Sequence, residues 1–336
     1  MSRLSEVRLC TIGVNEETLA HLGECREGLI GGHVRETELL ERITAIFRRT
    51  WKSELIVPNG DDGAVISLLG KNLVASTDVA VEGTHFRLDW SSYFEIGRKI
   101  TAANLADICA MGGWPEFLLV TVILPKRHLG GVEEIARGIA AEADLVGAQI
   151  IGGDLSSGNE LAISITALGS VVEPIRRSGA KVGDHIVISQ LPGASAAGLH
   201  LLENSNLFEG RIASDAIKSH KAPTLDYQRY RAAYPYLDSA TDTSDGLLID
   251  ASHLARASGV AFELYGEVLR ESELKDIDSE RYLDWVLTGG EDHLLLGTTA
   301  NPQSTGFTVI GRVIEGEGIY LDGTRMDESG YSHHWD

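Results

Sequence analysis

The chain has 336 residues, 43% of them hydrophobic and 23% charged, which is typical of globular proteins and not of disordered or fibrous ones. Its formal net charge of −20 argues against nucleic-acid binding, because neutralising phosphates requires clustered lysine and arginine. No apolar run reaches the ~18 residues of a membrane helix, so we expect no membrane partner. Three cysteines without metal-ligand spacing, at positions 10, 25 and 109, favour a reducing, cytoplasmic location.

In the N-terminal half, helices and strands alternate without a regular period. HVRETELLERITAIFRRTW predicts a helix, because Leu39, Ile43 and Ile46 have helical spacing. A strand near Asn72–Ser76 then leads into a turn that carries Asp78. The elements predicted after this turn are a helix over Ser91–Met111, a strand over Phe117–Leu124, a helix over Val132–Val146, and strands over Gln149–Ile151 and Leu161–Val171.

The pattern of predicted elements changes near Pro174, which indicates that a second domain begins there. A turn and strand in RRSGAKVGDHIVISQ precede a small-residue helix in GASAAGLHLLE. The strand Ser239–Thr243 runs into Asp245-Gly246 and the helix Leu247–Ser258, which Gly259 closes. Further strands are predicted in AFELY, HLLLGTT and FTVIGRV. The irregular alternation favours an α+β class with two domains over a doubly wound sheet.

Acidic residues recur in five turns near strand ends. These turns are Gly60-Asp61-Asp62, Ser76-Thr77-Asp78, Gly152-Gly153-Asp154, Asp242-Thr243-Ser244-Asp245-Gly246 and Gly289-Gly290-Glu291-Asp292. Glycine and aspartate are common in turns for backbone reasons, and this preference is enough to explain a single Gly-Asp turn. Five such turns near strand ends favour a cation site instead. Asp107, which lies on or beside the buried stripe of its helix, supports the same interpretation.

The oxygen ligands in these turns suit Mg²⁺ and disfavour Zn²⁺. Several Mg²⁺ ions in one cleft would imply a highly charged ligand such as a nucleoside triphosphate. The chain has neither the phosphate-binding loop G-x-x-x-x-G-K-[ST] nor a kinase-type glycine loop, so any ATP must bind at another kind of site.

Seven segments resemble the thiamine-monophosphate kinase family in order and spacing. They are GDDGAV, STDVAVEGTHF, GRKITAANLADICAMGGWPEFLLVTVILP, IIGGDLSSG, RRSGAKVGD, TDTSDGLLIDASHLARASGV and TGGEDHLLL. The family belongs to a superfamily of ATP-using enzymes that includes aminoimidazole ribonucleotide synthetase. The resemblance covers roughly residues 34–336 and leaves residues 1–33 as an N-terminal extension of unknown role.

The resemblance implies a fold like that of aminoimidazole ribonucleotide synthetase. Residues 34–172 would form an N-terminal α/β domain that binds ATP and Mg²⁺ and builds a barrel in a homodimer. Residues 173–336 would form a C-terminal α+β domain. The implied activity is transfer of the γ-phosphate of ATP to thiamine monophosphate, which gives thiamine diphosphate and ADP.

The resemblance also implies roles for individual residues. Several Mg²⁺ ions would be held by Asp62 with Asp61 adjacent, Ser76, Thr77, Asp78, Asp107, Asp154, Asp242 and Asp245. The nucleotide would contact Gly153, Asp154, Arg177 and Ser244. Thiamine monophosphate would contact His85, Glu291 and Tyr331. Asp78 and Asp107 would act in catalysis through the metal, with no covalent nucleophile, whereas Asp250 and Asp292 are predicted to serve as local caps.

The chain departs from the family at two internal places. His293-Leu294 stand where the family has Tyr-Glu, and Pro223–Tyr227 lie in a segment of different composition. Another ATP-using enzyme of the superfamily is one alternative. However, Cys25 does not resemble the reactive cysteine of a selenophosphate synthetase, and the chain ends in Trp335-Asp336 instead of the cysteine of a hydrogenase-maturation enzyme. The other alternative is a catalytically silent nucleotide- or metal-binding regulator.

Overall fold

The computed structural model describes residue 44 and residues 53–58, 61–68, 71–204 and 210–331, and residues 50–331 form one compact unit. The predicted helix around Leu39, Ile43 and Ile46 lies outside the described residues except for Thr44, which is helical. The N-terminal extension, residues 1–33, also lies outside them. Within the described part of the chain, no helix is both long and apolar enough to cross a membrane.

The first part of the compact unit is built on a six-stranded sheet. Its strands are β1 (Leu55–Val57), β2 (Ala64–Leu68), β3 (Lys71–Val81), β4 (Trp114–Leu124), β5 (Gln149–Ser157) and β6 (Ala162–Val171). Their order across the sheet is β1-β2-β3-β6-β4-β5, and only β4 and β5 are parallel neighbours. Two helices accompany it, α1 (Tyr93–Ala110) and α2 (Val132–Asp144). A capping box between Ser92 and Glu95 starts α1, which packs on β3 and β6.

Two strands extend beyond their predicted ends and include residues predicted to lie in turns. β3 continues to Val81, so Asp78 pairs with Ile165 inside the sheet, and β5 continues to Ser157, so Asp154 pairs with Thr121. The two turn predictions are wrong because β6 and β4 supply backbone hydrogen bonds along the whole length. Those bonds outweigh the low strand propensity of aspartate.

The two faces of the six-stranded sheet differ in exposure. Ile163 and Ile165 of β6 are fully buried on the side covered by α1. On the other side, Leu119 and Ile123 of β4 are each 39% exposed, and Val79 of β3 is 52% exposed. The apolar run predicted for β4 therefore has one face in the core and one open apolar face.

Two glycines allow α1 and α2 to approach closely. A Cβ atom added at Gly138 would lie 2.1 Å from the carbonyl oxygen of Phe94, and one added at Gly97 would lie 2.3 Å from that of Ile135. We expect Gly138→Ala to lower the free energy of unfolding, because overpacking costs about 1–3 kcal/mol. That cost exceeds the gain of about 1 kcal/mol in helix propensity.

Thermal or denaturant unfolding measures this effect, with Gly130→Ala as the matched control. A Cβ atom at Gly130 meets no atom within 4 Å. Equal stability of the two variants would contradict the observed helix packing.

The second part contains a seven-stranded sheet. Its strands are β7 (His185–Ile188), β8 (Ser239–Asp242), β9 (Ala261–Leu264), β10 (Leu295–Thr299), β11 (Thr308–Ile314), β12 (Gly318–Leu321) and β13 (Thr324–Arg325), in the order β13-β12-β9-β11-β7-β10-β8. Its helices are α3 (Ala194–Glu203), α4 (Arg211–Lys221), α5 (Tyr227–Ala233), α6 (Leu247–Ser258), α7 (Gly266–Leu269), α8 (Tyr282–Thr288) and α9 (Pro302–Thr305). Short 3₁₀ segments occur at Lys126–Gly131, Tyr234–Tyr236 and Glu273–Asp276.

The α+β class is confirmed, because helices accompany two separate mixed sheets. The sheets lie on either side of residue 172, the predicted domain boundary. Whether residues 34–172 and 173–336 are separate folding domains stays a prediction. Among the described residues the six-stranded sheet is open, with β1 and β5 at its edges, and the barrel expected in a homodimer stays a prediction.

Candidate active site

Three carboxylates from distant parts of the sequence form an acidic cluster, consisting of Asp62, Asp107 and Asp242. One carboxylate oxygen of each lies within 4.8 Å of the others. Asp62 precedes β2, Asp107 lies in the last turn of α1, and Asp242 is the last residue of β8. The cluster therefore joins the first sheet, its covering helix and the second sheet.

Burial and mutual repulsion make these carboxylates costly to charge together. Burial and the negative charges of Asp78 and Asp242 raise the pKa of Asp107 well above its ordinary value. Burial also raises the pKa of Asp62 to about 7, even though Arg177 opposes the shift. The Asp62 side chain is 1% exposed, and its Oδ2 atom has no hydrogen-bond partner among the described residues. A hard divalent cation would relieve the repulsion and use this oxygen, so the donor set fits Mg²⁺.

Two groups from the second part of the chain contact the Asp61-Asp62 pair. Arg177 donates from Nη2 to Asp62 Oδ1 at 2.6 Å and from its backbone N–H to Asp61 Oδ1 at 3.0 Å. Thr241 Oγ1 donates to the same Asp62 oxygen at 2.9 Å. Arg177, predicted to contact nucleotide, thus lies directly against the acidic cluster, where its charge partly compensates the carboxylates.

The side chains of three successive β3 residues, Ser76, Thr77 and Asp78, point to alternate faces of the sheet. Ser76 Oγ donates to Asp107 Oδ2 at 2.6 Å, and the backbone N–H of Asp78 donates to Asn104 Oδ1 at 3.2 Å. Thr77 lies on the opposite face, where its hydroxyl donates to the Ile165 carbonyl at 3.0 Å. Because successive strand residues point to opposite faces, Ser76 and Asp78 face the cluster and Thr77 does not.

Gly153 and Asp154 lie apart from the acidic cluster within one chain. Their strand, β5, is separated from β3 by β6 and β4, a distance of about 14 Å at the usual strand spacing. Asp154 pairs with Thr121 and shares its open face, whereas Asp78 faces α1. Asp154 is exposed and accepts a hydrogen bond from Ser156 Oγ at 2.9 Å. A single chain therefore does not bring Asp154 to the cluster.

The loop between β8 and α6 is fixed by backbone hydrogen bonds. The buried carboxylate of Asp250 accepts from the N–H groups of Asp245 and Gly246 at 3.1 and 3.0 Å. The Ser244 carbonyl accepts from the N–H of Glu291 at 2.7 Å. These contacts bring the predicted residues Ser244 and Asp245 next to the segment that carries Glu291.

His293, at one of the two places where the sequence departs from the family pattern, contacts the acidic cluster directly. Its Nδ1 lies 3.0 Å from Asp242 Oδ2. Burial opposes its protonated form, but the hydrogen bond and negative charge of Asp242 outweigh burial and raise the pKa of His293. The carboxylate of Asp292 points elsewhere and accepts from the N–H groups of Gly193 and Ser195 at the start of α3, as a cap should.

Glu291 and His85, the predicted acceptor contacts, are joined by a buried lysine. Lys99 Nζ donates to Glu291 Oε2 at 3.0 Å and to the His85 carbonyl at 3.1 Å. Burial opposes the Glu291 carboxylate, but the charge and hydrogen bond of Lys99 outweigh burial and hold the pKa of Glu291 below its usual value, with a further contribution from His220 only when it is protonated. Tyr331, the third predicted acceptor contact, is 49% exposed and donates from its N–H to the Asp245 carbonyl at 2.9 Å.

Sequence reasoning did not identify four polar residues of this region as site residues, namely Lys99, Asn104, Thr241 and His220. Lys99 is separated from Glu291 by 192 positions, and Thr241 from Asp62 by 179. Asn104 alone had a local signal, because it is a polar residue three positions before Asp107 within an apolar helix segment.

Comparison with known proteins supplies the family. The family described as AIR synthase related protein, N-terminal domain, matches residues 60–171. A thiamine-monophosphate kinase of Aquifex aeolicus (strain VF5) is 33% identical over 302 residues, which cover 86% of this chain and 95% of that protein. One of Mycobacterium tuberculosis (strain ATCC 25618 / H37Rv) is 36% identical over 286 residues, which cover 82% and 84%.

A solved structure agrees with these sequence matches. It is described as AaThiL complexed with AMPPCP and TMP, has 30% sequence identity and a TM-score of 0.80, and matches 90% of this chain and 99% of that one. The matched 90% of this chain is long enough to include most of both sheets. The chain belongs to the thiamine-monophosphate kinase family.

Proposed function

We propose that the protein transfers the γ-phosphate of ATP to thiamine monophosphate and produces thiamine diphosphate and ADP. The observation that carries the proposal is the acidic cluster, in which the carboxylates of Asp62, Asp107 and Asp242 meet within 4.8 Å. Burial and repulsion oppose the charge of such a cluster, and a bound cation would relieve both. The names of the relatives, and the structure described with AMPPCP and TMP, support ATP and thiamine monophosphate as the two substrates.

We propose that several Mg²⁺ ions bind at this site. Asp62, Asp107 and Asp242 would hold them, with Ser76 and Asp78 beside these residues and Asp61 and Asp245 in the adjoining loops. Bound Mg²⁺ supplies charge neutralisation between anionic phosphates and stabilises the charge that develops during transfer. Gly153, Asp154 and Ser244 remain proposed nucleotide contacts. Thr77 and Asp154 remain proposed ligands only on the open face of the six-stranded sheet, apart from the acidic cluster within one chain.

The chain's own residues then act by binding and orientation. Phosphoryl transfer requires little covalent chemistry from the protein, since a phosphate oxygen of the acceptor can attack directly. Arg177 offers a fixed positive charge at the cluster, suited to an anionic nucleotide. His85, Glu291 and Tyr331 are the proposed acceptor contacts. Holding two reactants in line can supply ~7–11 kcal/mol of the barrier reduction.

A substrate panel tests this function. The protein is incubated with ATP, Mg²⁺ and one acceptor at a time, and ADP formation is measured. We expect ADP to form with thiamine monophosphate and not with thiamine or unrelated phosphomonoesters. Turnover with a different acceptor would favour another enzyme of the superfamily, and binding of ATP without any turnover would favour a silent regulator.

We also propose a homodimer formed through the open face of the six-stranded sheet. Val79, Leu119 and Ile123 present apolar surface there, and such surface is normally covered by a partner. β5 pairs with β4 on one side only, and among the described residues its outer edge has no partner strand. Such an edge suits extension of the sheet by a second chain. Asp154 would then lie at or beside the interface. The cytoplasmic location stays a prediction from cysteine usage.

Light scattering tests the dimer. We expect about twice the 36.2 kDa chain mass at micromolar concentration, and we expect Ile123→Asp to shift the mass towards the monomer. Leu129→Asp is the matched control, because Leu129 is exposed outside the sheet in the 3₁₀ segment that follows β4. A wild-type protein that remains monomeric would contradict the proposal.

Direct transfer predicts that no phosphoenzyme forms. A phosphoenzyme needs a nucleophile free of competing contacts, whereas the aspartates of the cluster face the proposed cations and His293 is bonded to Asp242. Enzyme incubated with γ-labelled ATP and Mg²⁺ without acceptor should carry no label after isolation under acid-stable and base-stable conditions. Stoichiometric label that passes into product when thiamine monophosphate is added would contradict direct transfer.

A further inference from the structure

Lys99 is a buried cation that connects two segments of the candidate acceptor site. It lies on α1, and only 10% of its side chain is exposed. Its ammonium group donates to the carbonyl of His85 and to the carboxylate of Glu291. A buried ammonium group is stable only when its hydrogen bonds are satisfied, so these contacts fix the two segments relative to α1.

The segment around Glu291 has a backbone that requires such support. Glu291 and His293 have φ values of 64° and 53°, in the left-handed region that non-glycine residues rarely adopt. The N–H of Glu291 donates to Ser244, and the N–H of His293 donates to Thr243 at 2.9 Å. Strained backbone of this kind persists where surrounding contacts hold it, and it concentrates at functional sites.

Among the described residues, Lys99 is the permanent cation in contact with Glu291. His220 is a second basic group near this carboxylate, with its Nδ1 3.6 Å from Glu291 Oε2, and His293, hydrogen-bonded to Asp242, is a third. Burial and the charge of Lys99 lower the pKa of His220 to about 4, so His220 is neutral at pH 7. Its Nδ1 also lies 3.1 Å from Ser195 Oγ.

We propose that Lys99 is a positioning residue for the acceptor, which holds the carboxylate of Glu291 and the turn carrying His85 in one arrangement. This inference rests on the proposed function, because Glu291 and His85 are its acceptor contacts. The arrangement gives the acceptor a preformed site, and preformed sites bind more tightly because less ordering accompanies binding.

The kinetic test compares Lys99→Met, which keeps side-chain length, with Lys99→Arg, which keeps the charge. Removing the buried cation of this pair, whose carboxylate partner is 36% exposed, should raise the KM for thiamine monophosphate by about 10-fold or more. The KM for ATP should change by less than about 3-fold, and Lys99→Arg should recover part of the loss. Lys181→Met is the matched control, because Lys181 is 72% exposed and pairs with Asp238 at the surface.

A double-mutant cycle tests whether Lys99 acts through Glu291. In a Glu291→Gln background, the effect of Lys99→Met on the acceptor KM should be smaller by about 5-fold or more than in the wild type. Full additivity of the two effects, or an unchanged acceptor KM in Lys99→Met, would overturn the inference.

Amide hydrogen exchange provides a test that does not depend on the reaction. In the protein without substrates, Lys99→Met should accelerate exchange at the N–H groups of Glu291 and His293, whereas Lys181→Met should not. Unchanged exchange at both groups would overturn the positioning role even if thiamine monophosphate is a substrate. If the wild type does not use thiamine monophosphate, the proposed function fails, and the exchange result still decides the role of Lys99.

Discussion

Asp107→Asn should abolish turnover while leaving the protein folded. Removing a group that merely orients a metal ligand typically lowers metal affinity or activity by about 10–100-fold. Loss of the charge of a ligand itself should therefore lower kcat by more than about 100-fold. Asparagine has nearly the shape of aspartate and can still accept the hydrogen bond from Ser76. Steady-state kinetics with saturating ATP, Mg²⁺ and thiamine monophosphate measures the loss, and Asp78→Asn should behave in the same direction.

The same variant should be more stable than the wild type in EDTA. Asp107→Asn removes a carboxyl group whose ionised form is opposed by burial and by repulsion from Asp78 and Asp242, which raise its pKa and make folding more costly. Relief of this repulsion should raise the melting temperature by about 2 °C or more when no metal is present. Asp144→Asn at the exposed end of α2 is the matched control, which should alter neither activity nor stability. Full activity of Asp107→Asn would mean that the ligand assignment is wrong.

Mg²⁺ and nucleotide should bind cooperatively. The acidic cluster repels an anionic nucleotide until cations neutralise it, so a non-hydrolysable ATP analogue should bind about 5–150-fold more weakly in EDTA than with Mg²⁺. Because coupling of binding free energies is reciprocal, the analogue should strengthen Mg²⁺ binding by the same factor. Calorimetry in both orders of addition measures the two affinities.

Two further results make the calorimetry decisive. Asp107→Asn should show weaker coupling than the wild type, because its cluster repels the nucleotide less in EDTA. The control Asp144→Asn should retain the full effect. Equal affinity for the analogue in EDTA and in Mg²⁺ would contradict the proposed role of the cluster.

Local sequence signals predicted those elements whose ends are marked by their own residues. The sequence predicts helix α6 over its observed range, Leu247–Ser258, because glycine at position 259 is a helix-ending signal. In the structure Gly259 adopts the left-handed conformation that ends a helix. Helices α4, α5 and α8 were not predicted, although Asp226 caps the start of α5. They are only 7–11 residues long, and helices of this length depend mostly on tertiary packing. The extra length of β3 and β5 comes from partner strands, which no local pattern reports.

The candidate site was predictable to the extent that its residues share local motifs. The helical phase of Asp107 and the strand-end positions of Asp62 and Asp242 pointed to a common cation site, and these three carboxylates meet. The positions of Thr77 and Asp154 depend on strand register, which places both on the open face. The contact of Lys99 with Glu291 joins residues 192 positions apart, and only the tertiary fold brings them together.

Transfer of labelled phosphate tests the central claim most directly. The enzyme, in molar excess over γ-labelled ATP, is mixed with Mg²⁺ and thiamine monophosphate, and the labelled products are separated. The account predicts that the label leaves ATP and appears in the terminal phosphate of thiamine diphosphate, in amounts equal to the ADP formed. Label that remains in ATP, or that appears only as inorganic phosphate while thiamine monophosphate stays unchanged, would contradict it.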